Sequence, residues 1–383
     1  MMAGLVAATI RHAVPEGVRA RLAAAGSRWQ TSAYRRSLAR IPLVPSRMGV
    51  CVNYGRAQNT KRDGVIQGGR VKLLHLQRAY PEHLDDFNVL YLVSSAQPPF
   101  APELVRWAKA RGVKFVWNQN GVAYPAWAGT ASERMNAPMR ELLGLADYAI
   151  YQSEFCRASA DRYLGMSSAP AIVLHNCVDT DQFRPATEPL PAEPWMLLAA
   201  GSHQQPERVW SVLETLAHLR CLGRNARLIL AGRLDWPGAA AQTRGAIERL
   251  SLGNAVELVP AYTQEEAPAL YRRAHVLLHT KYKDPCPTVV LEALSCGLPI
   301  IGSDSGGMPE LVGNEAGVLV EVPDSSEKMH YPPSSESAAA IVRVMEDLAA
   351  YRLRTRQRAV EIFDVAPWLQ RHRDIFSALL GHA

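Results

Sequence analysis

The chain has 383 residues, of which 48% are hydrophobic and 20% are charged. Single hydrophobic cores stop growing near about 250–300 residues, so this length is sufficient for two domains with separate cores. No run of the sequence approaches the roughly 18 apolar residues that a membrane-spanning helix needs, and the composition is typical of a soluble globular protein.

The basic charge is concentrated in an amino-terminal arm, residues 1–47. The formal net charge is +6, but residues 1–50 carry eight arginines and one glutamate, a balance of +7. Apolar residues alternate with these arginines, which predicts one or two amphipathic helices rather than a signal peptide. Two hypotheses stay open: the arm packs on the protein's own surface, or it attaches to an anionic membrane surface. Nucleic acid is not expected as a partner, because the basic pattern does not continue into the folded part.

The six cysteines form neither a C-x-x-C pair nor a zinc-binding spacing. Cysteines without such spacing are typically free thiols, as in proteins of a reducing compartment. We therefore expect a cytoplasmic protein, located at the inner face of the membrane if the arm binds lipid, without disulfides or a structural metal.

Strands alternate with helices over residues 48–185, which predicts a Rossmann-like amino-terminal domain built on a parallel sheet. Gly68 and Gly69 precede a predicted helix and, taken alone, are typical of a plain turn. Asn118 and Asn120 follow a predicted strand, at the end of a parallel sheet where ligands bind. Their amides can bind substrate but cannot transfer a proton.

A proline-rich linker, residues 186–194, is followed by a second predicted α/β domain that extends to residue 364. Its strands are predicted at 195–200, 226–231, 257–260, 275–280, 298–302 and 317–321. We expect one helix over 263–273, one over 337–362, and a closing helix within 365–383.

The stretch from Asp284 to Glu310, DPCPTVVLEALSCGLPIIGSDSGGMPE, has the most informative pattern. Prolines open a helix that Gly297 ends in a left-handed conformation, and a second helix opens near Pro309. Two helix N-termini therefore lie near two carboxylates, Asp284 and Glu292. Helix N-termini favour phosphate and carboxylates accept hydrogen bonds from hydroxyls, so the pattern favours a sugar nucleotide.

A carboxylate, seven residues and a glutamate, followed by EALSCGLPIIGSDSGGMPE, resembles the donor-site signature of family 4 retaining glycosyltransferases. That family usually has a glutamate at the position of Asp284. The resemblance implies the GT-B fold: an acceptor domain and a nucleotide-sugar donor domain, both Rossmann-like, that face each other across a cleft. It also implies that the carboxy-terminal helix crosses back to the first domain.

The resemblance assigns roles to individual residues. Asp284 would hold hydroxyls of the sugar and Glu292 those of the ribose, while Arg208 would neutralise the diphosphate. Donor contacts are expected from Gly201, Ser202, Arg233, Pro287, Thr288, Val289, Gly306 and Gly307. Acceptor or phosphate contacts are expected from Gly68, Gly69, Asn118 and Asn120.

The implied reaction is a retaining, metal-independent transfer of a sugar from a nucleotide-diphosphate sugar to a saccharide or lipid-linked saccharide. We expect no cofactor and no metal, because Asp85 and Asp86 are adjacent rather than spaced as Asp-x-Asp. Two alternatives stay open. One is a GT-B epimerase or hydrolase acting on nucleotide sugars, and the other is a degenerate, non-catalytic protein that binds at a membrane surface.

Overall fold

The computed structural model describes residues 30–55 and 68–381, and the statements below refer to this part of the chain. Residues 1–29 of the arm and most of the loop that follows the first strand lie outside the described residues. The predictions made for them stay predictions.

Eleven strands in the described part form two sheets in which every pair is parallel. The strands are β1 (Val52–Asn53), β2 (Val89–Val93), β3 (Lys114–Gln119), β4 (Tyr148–Tyr151), β5 (Ala171–Val173), β6 (Trp195–Ala200), β7 (Ala226–Ala231), β8 (Val256–Val259), β9 (Val276–His279), β10 (Ile300–Asp304) and β11 (Gly317–Glu321). The first sheet has the order β1-β2-β3-β4-β5, and the second has the order β11-β10-β9-β6-β7-β8. The α/β architecture with two parallel sheets is therefore confirmed.

The helices lie between the strands along the chain and cover the sheets. They run over 30–39, Gly68–Ala79, Ala101–Lys109, Pro125–Ala128, Ser132–Leu145, Glu154–Tyr163, Pro206–Cys221, Ala239–Arg249, Ala267–Tyr271, Thr288–Ser295, Met308–Val312, Ser334–Glu346, Leu348–Ile362 and Val365–Leu380.

The central strands of the sheets are buried on both faces. Successive side chains of a strand point to opposite faces of the sheet, so burial of consecutive residues shows that both faces are covered. In β6, Leu197 and Ala199 belong to one core cluster, whereas Leu198 and Ala200 belong to the cluster on the other face. In β2 all five residues are buried. Continuous apolar strands of this kind are typical of parallel sheets covered by helices on both sides.

Several predicted elements have the bounds that the sequence indicates, including β6, β7 and β11. Two predicted helices are wrong in extent. The helix expected over 337–362 is divided at Asp347 into two helices. The helix expected over 263–273 covers only Ala267–Tyr271, although the backbone N–H groups of Thr263 and Glu266 each donate to a side-chain oxygen of the other.

The closing helix, Val365–Leu380, crosses back to the first sheet as predicted. Asp364 pairs with Val178 just before the helix begins. Trp368, Ile375 and Phe376 are buried in the same core cluster as residues of β1 and β2. The closing helix therefore packs on the first sheet, although it follows the second domain in the chain.

The described part of the arm packs on the protein. Leu38 and Leu43 are buried in the core of the first domain, where Tyr34 and Ile41 pack beside them. For residues 30–43 this supports the packing hypothesis over the membrane hypothesis. None of the helices within the described ranges has both the length and the apolar character needed to span a bilayer.

The two domains contact each other on either side of the space between them. Glu310 accepts hydrogen bonds from the backbone N–H groups of Glu154 (2.7 Å) and Phe155 (2.9 Å) of the first domain. The backbone N–H of Ala126 donates to the carbonyl of Ser326, 2.8 Å away. These bonds connect the two domains directly.

Candidate functional site

A cleft of about 720 Å³ lies between the two domains and is lined by residues of both. Asn120 and Gln152, which follow β3 and β4, reach it from the first sheet. Gly201, Gly232 and Lys281, which follow β6, β7 and β9, reach it from the second. The cleft therefore lies beyond the carboxyl ends of the parallel strands, where such sheets bind ligands.

Asp284 is buried in this cleft, where its carboxylate contacts one cation and one histidine ring. Its Oδ2 atom lies 3.0 Å from Nζ of Lys281 and 3.2 Å from Nε2 of His279. Burial opposes ionisation, but Lys281 and His279 together hold the pKa of Asp284 below its ordinary value. The carboxyl group is thus an ionised hydrogen-bond acceptor at neutral pH.

His279 joins Asp284 to Arg208. Burial lowers the pKa of His279 to about 4, so the ring is neutral and carries one N–H. Nδ1 lies 3.5 Å from a guanidinium nitrogen of Arg208, which can only donate, and Nε2 faces the Asp284 carboxylate, which can only accept. The neighbours therefore assign the proton to Nε2. The sequence analysis did not identify the contact between His279 and Asp284.

Glu292, on the helix Thr288–Ser295, is the second buried carboxyl group of the cleft. Tyr271 donates its hydroxyl to one oxygen at 2.7 Å, and Gln264 donates its amide to the other at 2.9 Å. Burial raises the pKa of Glu292 to about 7 even though both bonds oppose the shift. Each oxygen keeps a further lone pair, so the group can also accept hydrogen bonds from a ligand.

Arg208 supplies a buried positive charge to the same wall. Its guanidinium donates to the carbonyls of Ser202 (3.2 Å) and Ala200 (3.3 Å) at the end of β6. Arg233 also lines the cleft, and its buried Nε makes no hydrogen bond within the described residues but lies 3.7 Å from a carboxylate oxygen of Asp235. Because Arg208 and Arg233 flank the strand ends that meet the cleft, they are placed to bind an anionic ligand.

Close packing of two glycines shapes this part of the cleft. Gly201 and Gly232 both have a φ of +111°, and a Cβ on Gly232 would lie 1.9 Å from the carbonyl oxygen of Gly201. Ser202 follows Gly201 and lines the cleft with it. The glycines let the ends of β6 and β7 approach each other and leave their backbone open to a ligand.

The helix Thr288–Ser295 points its first turn at the cleft. Pro287, Thr288 and Val289 all line it, and Pro287 is the residue just before the helix rather than its first residue. Gly297 has a φ of +75°, so the predicted left-handed end is confirmed. The positive end of a helix dipole favours a negatively charged ligand group here.

Gly306 and Gly307 have a different position from the one expected for donor contacts. Neither is among the residues that line the cleft. The backbone N–H of Gly307 donates to the carbonyl of Asp284 at 3.0 Å, and a Cβ on Gly306 would lie 2.6 Å from the same oxygen. The pair supports the Asp284 loop from behind, and a direct contact with the donor stays a prediction.

Replacing Gly307 by alanine is expected to destabilise the protein by about 1–3 kcal/mol, the usual cost of overpacking. The new Cβ would lie 2.0 Å from the carbonyl oxygen of Pro285, so the Asp284 loop must move. Urea unfolding measures the effect. In the control, Gly245→Ala, nothing lies within 4 Å of the added Cβ. This helix substitution should be neutral or stabilising by up to about 1 kcal/mol, and equal effects of the two changes would contradict the prediction.

A buried lysine organises the amides of the first domain. Nζ of Lys72 donates to side-chain oxygens of Asn118 (2.6 Å), Asn120 (2.6 Å) and Gln152 (3.2 Å). Burial lowers the pKa of Lys72 to about 8. Because an ammonium group only donates, all three amides turn their oxygens toward it and their NH₂ groups away. Sequence reasoning did not identify Lys72, which resembles any polar residue of an amphipathic helix.

The four residues expected to contact acceptor or phosphate are placed as follows. Asn120 and Gly69 line the cleft, and a Cβ on Gly69 would lie 2.5 Å from Oγ of Ser95. Gly68 begins the predicted helix. Asn118 lies beneath the lining, bonded to Lys72 and to the hydroxyl of Tyr91, so it supports the site rather than facing it.

One group of potential metal ligands lies outside the cleft. Ligand atoms of Cys51, His83 and Asp86 lie within 4.8 Å of one another, and His83 contacts Asp86 at 2.9 Å. Asp85 and Asp86 are exposed and do not line the cleft. The expectation that the cleft works without a metal stays a prediction.

Residues 181–331 match a family model described as glycosyl transferases group 1. The chain carries a domain of the glycosyl transferases group 1 family. The matched range contains Arg208, Asp284 and Glu292 together with the strands β6 to β11 that hold them. The glycosyltransferase resemblance indicated by the carboxylate spacing is therefore confirmed for residues 181–331, and retention of configuration stays a prediction.

Two curated relatives match this chain over about half of its length. D-inositol 3-phosphate glycosyltransferase of Streptomyces bingchenggensis is 29% identical over 197 residues, which cover 47% of this chain and 43% of the relative. Alpha-maltose-1-phosphate synthase of Mycolicibacterium smegmatis is 24% identical over 219 residues, with coverages of 53% and 56%. The chain spans about half the length of the curated relatives it matches.

The fold of the two domains together is similar to that of solved structures. Sucrose-phosphate synthase from Thermosynechococcus elongatus has a TM-score of 0.63 at 20% identity and covers 82% of this chain and 77% of its own. HepE of Anabaena in complex with UDP has a TM-score of 0.61 at 16% identity, with coverages of 80% and 81%. With the two facing sheets and the returning helix, these similarities confirm the predicted GT-B fold.

Proposed function

We propose that this protein is a glycosyltransferase that moves a sugar from a nucleotide-diphosphate sugar to a saccharide or lipid-linked saccharide. The observation that carries the proposal is one wall of the cleft, where two buried carboxyl groups, Asp284 and Glu292, lie beside the buried cation of Arg208. Carboxylates accept hydrogen bonds from sugar and ribose hydroxyls, and guanidinium groups bind phosphates. The family of this domain and the UDP bound by one structural neighbour support the same assignment.

The proposed reaction exchanges one bond at the anomeric carbon for another. The acceptor hydroxyl oxygen bonds to this carbon, the bond from the carbon to the diphosphate breaks, and the hydroxyl proton passes to the departing nucleoside diphosphate. Arg208 and Arg233 stabilise the charge that develops on the diphosphate, and they are in place before the reaction begins. Asp284 is ionised and therefore binds hydroxyls rather than acting as an acid.

Retention of configuration and independence from metal are further parts of this proposal. The resemblance of the carboxylate motif to family 4 supports retention. Arg208 and Arg233 supply positive charge to the donor phosphates, whereas Lys281 and Lys283, which also line the cleft, are ion-paired with Asp284 and Asp324. We also infer a cytoplasmic location, at the inner membrane face if the arm binds anionic lipid.

A panel of nucleotide-diphosphate sugars that differ in base and sugar tests the proposal. One class of donor should stabilise the protein against heat, by about 2.7 kcal/mol at a hundredfold excess over its Kd. The same donor should release its nucleoside diphosphate in the presence of EDTA when a saccharide acceptor is added, and NMR of the product should show retention.

Each contrary result identifies a different alternative. Nucleotide release without a transferred sugar would indicate a hydrolase, and interconversion of the donor would indicate an epimerase. Failure of every nucleotide sugar to bind would favour a non-catalytic binding protein. Loss of activity in EDTA that magnesium restores would contradict metal independence alone.

A further inference from the structure

The two walls of the cleft differ in chemistry. Among the described residues, the charged side chains that line the cleft all belong to the second domain: Arg208, Arg233, Lys281, Lys283, Asp284 and Glu292. The first domain instead contributes amides, hydroxyls and an apolar surface formed by Val122, Trp127, Met135, Met139 and Phe155. If the charged wall holds the donor, this apolar surface faces the second substrate.

Trp127 is unusual because it is large, apolar and open to the cleft. Its side chain is 42% exposed. The indole N–H donates to the carbonyl of Val122 at 3.2 Å, so the one polar atom of the ring is already bonded within the protein. Tyr124 packs against it edge to face, with ring centroids 6.2 Å apart. What remains for a ligand is the apolar part of the ring, held in a fixed place.

Two methionines extend this surface inward. Met135 is 40% exposed and Met139 is only 7% exposed, and both belong to the helix Ser132–Leu145. Residues four apart lie on the same face of a helix, so the two side chains form a track from the cleft mouth toward its interior. Methionine side chains are flexible and adapt to apolar ligands of irregular shape.

The second domain meets this surface at the mouth of the cleft. The loop that contains Ser326, which bonds Ala126 next to Trp127, also places Met329 at the cleft lining. The apolar surface is therefore part of the entrance shared by both domains rather than an isolated exposed side chain. Apolar area left open in a substrate cleft marks a place where apolar ligand atoms bind.

We propose that the acceptor carries an apolar group, such as an alkyl chain, that binds along Trp127, Met135 and Met139. This inference rests on the proposed transfer reaction and names the class of its second substrate. The hydroxyl-bearing part of the acceptor lies toward Asn120 and Gln152, whose NH₂ groups face away from Lys72. The apolar group leaves the cleft past Trp127.

Binding of two glycosides that differ only in their alkyl group tests the inference without turnover. Octyl β-D-glucoside, kept below its micelle concentration, and methyl β-D-glucoside are titrated calorimetrically into the full chain in the presence of excess UDP. Burial of about two extra methylenes would make the octyl glycoside at least about tenfold tighter. The double substitution Trp127→Ser with Met135→Ser should remove this advantage, because it replaces exposed apolar surface without disturbing the core.

The matched control is the double substitution Met166→Ser with Leu353→Ser, two exposed apolar residues that do not line the cleft. It should leave the octyl advantage unchanged. Equal affinities of the wild type for the two glycosides would overturn the inference. So would an octyl advantage that persists when Trp127 and Met135 are both replaced by serine. Absence of any nucleotide-sugar turnover would instead overturn the proposed reaction, since the glycoside titrations do not depend on it.

Discussion

Replacing Glu292 by alanine is expected to abolish measurable sugar transfer, a loss of at least about 100-fold, while the protein remains folded. The substitution removes the carboxyl group that is proposed to hold the ribose and leaves the donors of Tyr271 and Gln264 without their acceptor. The donor can then no longer be held with its anomeric carbon in the reacting position. A nucleotide-release assay measures the rate, and circular dichroism checks the fold.

A matched control separates the carboxyl group from the bonds that hold it. Tyr271→Phe keeps Glu292 but removes one of its two hydrogen bonds, so transfer should fall by only about tenfold. Donor consumption near the wild-type rate in Glu292→Ala would contradict the role of this residue. An equally large loss in Tyr271→Phe and in Glu292→Ala would mean that the rate depends on how Tyr271 positions the carboxyl group, and not on the presence of the carboxyl group alone.

The pH dependence of the stability of Glu292→Gln gives an independent check on the raised pKa of Glu292. The pKa of Glu292 is about 7 in the folded protein and 4.5 ordinarily, so the folded state holds a proton that the unfolded state loses between these values. The residue therefore stabilises the fold fully below pH 4.5, and this contribution disappears as the pH rises through 7. Glutamine does not titrate, so the variant lacks this pH dependence. Between pH 5 and pH 8, the unfolding free energy of the wild type should therefore fall by about 2–3 kcal/mol relative to that of Glu292→Gln.

The parts of the site that the sequence predicts are those encoded by short spacings. Asp284 and Glu292 are eight residues apart, on a loop and on the helix that follows it. Their common place at the cleft follows from local structure alone. The strands β6 and β7 were predictable for a similar reason, because their apolar runs are bounded by glycines and by polar turns.

The contacts that the sequence does not predict join residues far apart in the chain. Lys72 bonds amides that are 46, 48 and 80 residues away, and nothing in its helix distinguishes it from a solvated lysine. Arg208 and His279 are 71 residues apart, and only the pairing of β6 with β9 brings them together. Such contacts depend on the order of strands in the sheet, which periodicity does not determine.

The glycines after Asp304 show that a sequence can predict a close approach without identifying every group that makes it. A glycine pair before a helix favours close approach of a ligand, but the groups that approach Gly306 and Gly307 are backbone atoms of Asp284 and Pro285. The requirement for a missing side chain was predictable. What fills the space was not, because the Asp284 loop reaches it only through the pairing of β9 with β10.

Replacing Arg208 by alanine is expected to weaken binding of the nucleoside diphosphate by about 30–100-fold. Arg208 is buried at the cleft and donates to backbone carbonyls rather than to a carboxylate, so its charge is available to a phosphate. A buried charge is little screened by salt, and the loss should therefore persist at high ionic strength. Calorimetry with the nucleoside diphosphate and the corresponding monophosphate measures the effect, which should be larger for the diphosphate.

Arg227→Ala is the matched control for this measurement. Arg227 belongs to β7 of the same sheet, but its side chain is exposed and does not line the cleft. Both substitutions remove one positive charge, so a general electrostatic attraction would weaken binding equally in the two variants and would fade with salt. A specific phosphate contact requires a large loss in Arg208→Ala alone. Unchanged affinity in Arg208→Ala would transfer this role to Arg233 or to the lysines beside Asp284.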